Sequence, residues 1–239
     1  GAQHDHSVWI LQTRYFAHHG RSVLAIDLPG HGRSEGPLDT SIEAMADTVL
    51  AALSSAGVER AAIVGHSMGS LIALECAARA PGRVDRIAML GVAFPMKVSE
   101  ALLEAAENDE PRAMDMINRW SHSGINFRPG APAPGFSVYW QNRRLMARQA
   151  PGTLLTDFRA CDRYERGLEA AAAVRCPVLL VLGKRDMMTP PRAAAGIAAA
   201  LAKAPAGVEP TQVLIPDCGH AMMSEKPDEV RAALRDFLL

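Results

Sequence analysis

Short apolar runs alternate along this chain with longer segments of helical periodicity. The runs predict strands buried on both faces of a sheet, and they cover residues 22–27, 62–66, 84–92, 177–183 and 212–215. The other segments predict helices over 8–18, from the capping box Thr40–Glu43 to Gly57, over 68–80 and 191–203, and onward from Pro227. Strands that alternate with helices predict a mostly parallel sheet covered on both faces, and therefore an α/β fold.

The segment 95–166 interrupts this alternation. Its periodicity predicts helices over 98–107, 111–121, 137–149 and 153–164, with a Pro- and Gly-rich loop over 128–135. The sequence therefore predicts a core formed by 1–94 and 167–239, with a helical cap, 95–166, inserted over the carboxyl ends of the strands.

Composition excludes several classes of function. The chain has 239 residues, of which 49% are hydrophobic and 21% charged, and this suits one sizeable domain. A formal net charge of -1 gives no reason to expect nucleic acid or an anionic membrane surface as a partner, and no apolar run is long enough to span a membrane. The four cysteines form no C-x-x-C pair, so we expect packing thiols, a usage compatible with the cytoplasm. The histidines near the start match no known metal spacing, so neither a metal nor another cofactor is expected.

Gly65-His66-Ser67-Met68-Gly69 has the spacing of a nucleophile elbow, a tight strand-to-helix turn that lifts a serine hydroxyl above the sheet. An accidental match is not rare in a chain of this composition. The apolar strand before the motif and the helix after it make the motif specific. A Cβ at Gly65 or Gly69 is expected to clash where strand and helix approach each other.

A serine nucleophile needs a base, and the base needs an orienting carboxylate. Asp186 follows one predicted strand, and His220 follows the next. Because parallel strands end at one edge of the sheet, Ser67, Asp186 and His220 are expected to meet there, in the chain order serine, acid, histidine. Asp217 is a rival acid, but its closeness in sequence to His220 favours a role in a local turn.

The chain resembles the α/β-hydrolase family, in particular its small esterases and lactonases with a helical cap. Beside the elbow, the resemblance rests on Val23–Ser34, Gly183–Asp186 and Gly219–His220. It covers the predicted core and is poor in the insertion. It implies an oxyanion hole made of the backbone N–H of Met68, which follows the nucleophile, and that of Ala2.

The same resemblance implies that the first three strands of the family's sheet are absent here. One of them would lie between the strand ending at Asp27 and the strand before Ser67. Its absence would leave backbone groups unpaired in the middle of the sheet. We therefore expect a fragment, or a numbering that starts inside the native chain.

Candidate substrate-pocket residues are Phe94 at a strand end and, in the cap, Trp120, Trp140 and Arg143. Packing between cap and core is the competing interpretation of the apolar members, which include Phe136. Arginines such as Arg143 are suited to binding a substrate carboxylate, but a solvated helix face explains them as well.

Three functions remain open. The first is a serine hydrolase that cleaves a small carboxylic ester or lactone through an acyl-enzyme. The second is a carbon–carbon bond hydrolase on the same three residues, for which a cap arginine aimed into the pocket would decide. The third is a non-catalytic ligand-binding protein of the same fold. The sequence does not indicate an oligomeric state.

Overall fold

The centre of the molecule is a four-stranded parallel sheet, in a computed structural model that describes residues 1–124, 137–204 and 209–239. The strands stand in chain order, and they are β1 (Ala61–His66), β2 (Val84–Leu90), β3 (Val178–Gly183) and β4 (Thr211–Ile215). Every neighbouring pair is parallel, so all four strands end at the same edge of the sheet.

The two central strands are buried on both faces over residues 87–90 of β2 and along the whole of β3, where the sequence is apolar or glycine. In β2, Ile87 and Met89 belong to one hydrophobic cluster, whereas Ala88 and Leu90 belong to the cluster on the opposite face. Strand β3 alternates in the same way. This two-residue alternation is the normal consequence of β geometry, and it places apolar layers on both sides of the sheet.

Helices cover both faces. The helices of the core are α1 (Ile10–His18), α2 (Ile42–Ser55), α3 (Met68–Arg79), α8 (Gly167–Ala173), α9 (Ala195–Leu201), α10 (Met222–Glu225) and α11 (Pro227–Leu238). Residues of α2, α3, α8 and α9 form the larger cluster, and residues of α1, α10 and α11 form the other. The predicted α/β architecture, a sheet covered by helices on both faces, is thereby confirmed, and the sheet is entirely parallel in the part of the chain described.

In the described part of the inserted segment, four helices follow β2: α4 (Glu100–Asn108), α5 (Glu110–Ser121), α6 (Val138–Met146) and α7 (Thr153–Arg163). Each of these helices begins within two residues of its predicted start. Together they form a separate apolar cluster, which includes Leu102, Ile117, Met146 and Phe158. We call these helices the cap. The boundaries at 95 and 166 stay a prediction, and the predicted loop 128–135 and Phe136 lie outside the described residues.

The predicted strand 22–27 is wrong. These residues have no regular secondary structure, and Val23 and Leu24 are 40% and 56% exposed. A strand requires a hydrogen-bonded neighbour, and in the described sheet β1 pairs with β2 alone. Residues 22–27 therefore have the sequence pattern of a strand but no neighbouring strand to pair with in the described sheet.

Two helix starts also differ from expectation. The N-cap of α2 is Ser41, one residue later than Thr40, where the predicted capping box begins. The Ser41 hydroxyl accepts from the N–H of Ala44. The predicted helix 191–203 begins with a 3-10 turn over Pro191–Ala194 before α9. In the described ranges, the helices are all too short or too polar to cross a lipid bilayer.

Candidate active site

Ser67 stands on a sharp turn between β1 and α3. Its backbone has φ 53° and ψ -119°, a left-handed conformation that costs a residue with a Cβ about 1–3 kcal/mol. The Ser67 N–H donates to the carbonyl of Leu90 on β2 at 2.8 Å, which anchors the turn to the sheet. A Cβ at Gly65 would lie 1.9 Å from the carbonyl oxygen of Gly69, so only glycine fits there.

Gly69 departs from the expectation. A Cβ at Gly69 would meet no described atom within 4 Å beyond the neighbouring backbone of its own helix. At the elbow, the close approach therefore requires glycine at position 65, at the end of the strand, but not at position 69, in the helix.

Asp186 and His220 form a buried pair. Nδ1 of His220 lies 2.7 Å from Oδ2 of Asp186, and the two residues are 6% and 4% exposed. An ionised carboxylate accepts, so Nδ1 carries the proton and Nε2 is left free to act as a base. The loops after β3 and β4 thus place the predicted acid and histidine in contact.

Three further donors hold Asp186. Its Oδ1 accepts from the backbone N–H groups of Met188 and Thr189, each at 2.8 Å. Its Oδ2 accepts from the hydroxyl of Thr189 at 2.8 Å, and that hydroxyl also lies 3.0 Å from Nδ1 of His220. Thr189 was not predicted as a site residue, although an aspartate three residues before a threonine is a signal for a local hydrogen-bonded turn.

His66, inside the elbow, supports the histidine loop. Its Nε2 donates to the backbone carbonyl of His220 at 2.8 Å, and the two rings lie 4.6 Å apart between centroids. Burial, followed by the charge of His220, lowers the pKa of His66 well below its usual value. His66 is therefore neutral near pH 7.

Ser67 and His220 line the same narrow cleft. No hydrogen bond joins the Ser67 hydroxyl to His220 among the bonds of the described residues, a common situation in sites without substrate. A second and wider cleft of about 430 Å³ also reaches Ser67. Ala2, Phe158 and Met188 line both clefts, so the two meet at the serine.

Of the two predicted oxyanion donors, Ala2 lines both clefts and Met68 directly follows Ser67. Met68 is the first residue of α3, where a backbone N–H has no acceptor within the helix and the positive end of the helix dipole lies. Ala2 belongs to a turn closed by the His4 N–H, which donates to the carbonyl of Gly1 at 3.3 Å.

The predicted pocket residues are not all at the clefts. Trp120 lines the wider one. Phe94 instead packs edge-on against Tyr164 and lies where a Cβ of Gly167 would be. Trp140 is 61% exposed at the cap surface, and Arg143 pairs with Asp115 at 2.7 Å. The expected lining is therefore corrected, because Phe94, Trp140 and Arg143 are not among the described residues that line the two clefts.

Other polar groups have structural partners. The rival acid Asp217 pairs with Arg185 at 2.6 Å on the surface. Among the described residues, Asp5, His6 and Asp27 have the spacing of a metal site. Asp27, however, already accepts from the backbone and ring of His6, and Asp5 accepts from Ser7. All four cysteines are free and buried, and burial raises the pKa of each thiol.

The chain belongs to the alpha/beta hydrolase family, whose model matches residues 1–233. Over the whole chain it superposes on the enol-lactonase from Burkholderia xenovorans LB400, with a TM-score of 0.84, 24% identity and 88% of that chain covered. At this identity the superposition shows the common fold.

Of the three curated relatives described next, two are named as hydrolases and one as an acetyltransferase component. The chain is 27% identical to the Agrobacterium fabrum protein named "Putative carbamate hydrolase RutD", over 97% of this chain and 87% of the relative. It is 33% identical to the pimeloyl-[acyl-carrier protein] methyl ester esterase of Neisseria meningitidis, over 71% of this chain and 67% of the relative. It spans 56% of the length of another relative, a dihydrolipoyllysine-residue acetyltransferase component of the Pseudomonas putida acetoin cleaving system, at 25% identity over 91% of this chain. The predicted class of enzyme, an α/β-hydrolase, is confirmed.

Proposed function

We propose that this protein is a serine hydrolase that cleaves a small carboxylic ester or lactone through an acyl-enzyme. The observation that supports this most is the buried contact between His220 and Asp186, in a cleft that His220 shares with the strained Ser67. In this proposal Ser67, His220 and Asp186 are catalytic, and the N–H groups of Met68 and Ala2 form the oxyanion hole.

The reaction follows from these positions. Oγ of Ser67 attacks the carbonyl carbon while its proton passes to Nε2 of His220. Asp186 holds the proton on Nδ1 and stabilises the imidazolium that forms. The carbonyl oxygen becomes an oxyanion facing the N–H groups of Met68 and Ala2. When this intermediate collapses, the carbon–oxygen bond of the leaving group breaks and His220 returns the proton to the leaving oxygen. Water then repeats the sequence on the acyl-enzyme and frees Ser67.

The two clefts accommodate the two halves of such a substrate. The wider cleft is lined largely by apolar side chains, among them Met96, Leu102 and Trp120, and suits the larger apolar half. The smaller cleft carries His4, Ser121 and Asn142 beside apolar residues and suits a compact, more polar half. The names of two relatives, a methyl ester esterase and a carbamate hydrolase, agree with attack on an acyl carbon.

The carbon–carbon hydrolase hypothesis has less support. It calls for a cap arginine aimed into the pocket. The residues described as lining the two clefts include no arginine, and Arg143 is engaged by Asp115.

Fluorophosphonate labelling with intact-mass analysis tests the proposal. We expect one adduct on the wild-type protein, none on Ser67→Ala, and an adduct on Ser224→Ala, a control serine of the same cleft whose hydroxyl donates to the Ala221 carbonyl. p-Nitrophenyl acetate, a γ-lactone, a methyl carbamate and a vinylogous 1,5-diketone then distinguish the reaction classes. A folded wild-type protein that neither labels nor turns over any of them would contradict the proposal and favour the ligand-binding alternative.

A further inference from the structure

The turn that carries Ala2 is held mainly from the cap. Gln3 is fully buried and has φ 54°, a left-handed conformation that a residue with a side chain keeps only when its surroundings hold it. Its N–H donates to Oδ2 of Asp157, on α7, at 2.7 Å. Its side-chain amide donates to Oε1 of Glu110, at the start of α5, at 2.8 Å.

His4 adds a third link between this turn and the cap. Burial lowers the pKa of His4 to about 4, so the ring is neutral near pH 7. Its Nδ1 lies 2.6 Å from the carbonyl oxygen of Ala2, and its Nε2 lies 2.7 Å from Oδ1 of Asn142 on α6. Both of these oxygens accept, so the single N–H of the neutral ring donates to one of the two. Three different cap helices therefore contact the residues that immediately follow Ala2.

Asp157 also connects this turn to a second loop of the core. The Oδ2 atom that accepts from Gln3 lies 2.9 Å from Nε2 of His31, in the loop after residues 22–27. Asp157 and His31 are 0% and 2% exposed, so water does not replace either contact. Removing the carboxylate would leave the Gln3 N–H buried without its acceptor.

We propose that Asp157 and Glu110 are positioning residues that hold the strained Gln3 and thereby fix the Ala2 N–H where the oxyanion forms, so that seating of the cap completes the active site. This inference rests on the proposed function, since it concerns the same oxyanion hole. Neither residue lines a cleft, so both act through the backbone of the turn and not on the substrate.

Steady-state kinetics on p-nitrophenyl acetate separate positioning from binding. In Asp157→Ala we expect kcat to fall about 10- to 100-fold while KM changes less than about threefold, because the oxyanion contact is made in the transition state. The inhibition constant of phenylboronic acid, which forms a tetrahedral anion on a serine oxygen, should rise in the same proportion as kcat falls. Asp157→Asn keeps an oxygen acceptor for the Gln3 N–H and should retain kcat within about fivefold of wild type.

Asp162→Ala is the matched control. Asp162 lies on the same helix and also accepts a backbone N–H, that of Val98 at 3.0 Å, but does not contact the turn of Ala2. Its kcat should stay within about twofold of wild type. If Asp157→Ala fails to fold, Glu110→Ala decides, with an expected kcat loss of about 3- to 10-fold at unchanged KM.

The outcomes separate the two proposals. A folded Asp157→Ala protein with wild-type kcat, or a loss confined to KM, would overturn the inference while Ser67-dependent turnover upheld the proposed function. Wild-type kcat in Glu110→Ala, where that variant decides, would overturn it as well. Absence of Ser67-dependent turnover in the wild type would overturn both.

Discussion

The hydroxyl of Thr189 donates a 2.8 Å hydrogen bond to Oδ2 of Asp186, the same carboxylate oxygen that faces Nδ1 of His220. Oδ2 of Asp186 thus contacts both Thr189 and His220, while Oδ1 accepts from two backbone N–H groups. Four contacts therefore orient Asp186: three come from Met188 and Thr189 in its own turn, and the fourth comes from His220. The orientation of Asp186 therefore depends on the turn 186–189 as a unit.

Thr189→Val keeps the shape of the side chain and removes its donor. A hydrogen bond to a charged group contributes about 1.5–3 kcal/mol, so we expect kcat to fall roughly 10-fold as Asp186 gains freedom to rotate. KM for p-nitrophenyl acetate should change little. Thr189→Ser restores the hydroxyl and should return kcat to near the wild-type value. Equal kcat for the valine variant and the wild type would mean that the backbone donors orient Asp186 alone.

Asp186→Asn should be far more damaging than loss of Thr189. An amide can donate to Nδ1 and so favour the tautomer that carries its proton on Nε2, where a base is needed. We expect kcat to fall about 10⁴-fold with the melting temperature nearly unchanged. Asp217→Asn is the control, because Asp217 pairs with Arg185 at the surface. Comparable losses in the two variants would show that Asp186 has no special role.

The central sheet could be predicted because burial on both faces leaves a direct trace in sequence. Residues 87–90 of β2 and all of β3 are apolar or glycine, and the structure buries both faces of these stretches. Residues 22–27 have the same pattern without a neighbouring strand in the described sheet, and the pattern alone carries no information about partners. Pairing is a tertiary property, so the two cases look alike in sequence.

The site divides in a similar way. Ser67 directly follows β1, and Asp186 and His220 lie in the loops that follow β3 and β4. Their proximity could be predicted because parallel strands end at one edge of the sheet. Trp140 and Arg143 were misplaced because a short helix does not indicate which of its faces meets the core. Asp157 was missed because its partners, Gln3 and His31, are distant in sequence, and no local motif joins them.

Gly65 and Gly69 provide a matched pair for testing the geometry of the elbow. In Gly65→Ala the new Cβ would lie 1.9 Å from the Gly69 carbonyl oxygen, so strand and helix must separate. We expect a loss of about 3 kcal/mol or more in the free energy of unfolding and no measurable turnover. Gly69→Ala meets no described obstacle and should change stability by at most about 1 kcal/mol, in the stabilising direction expected for alanine in a helix. Urea unfolding monitored by circular dichroism compares the two variants, and equal stabilities would contradict the one-sided clash.

The His31–Asp157 pair should make stability depend on pH. Burial lowers the pKa of His31, but the hydrogen bond to Asp157 and the charge of that carboxylate outweigh burial, so the net shift is upward. Nδ1 of His31 also donates to the Pro29 carbonyl at 3.1 Å, an arrangement that uses both ring protons. Because the folded pKa exceeds the unfolded value of about 6.5, the pair contributes its full stabilisation below about pH 6.5 and loses it as pH rises through the folded pKa.

His31→Gln isolates this contribution, since glutamine can donate to Asp157 but carries no charge at any pH. The difference in unfolding free energy between wild type and variant should be largest near pH 6 and should shrink steadily toward pH 9. Urea unfolding at intervals of pH measures it, and the other titrating groups cancel between the two proteins. A difference that stays constant over this range would mean that His31 is neutral in the folded state and that Asp157 holds the loop without an ion pair.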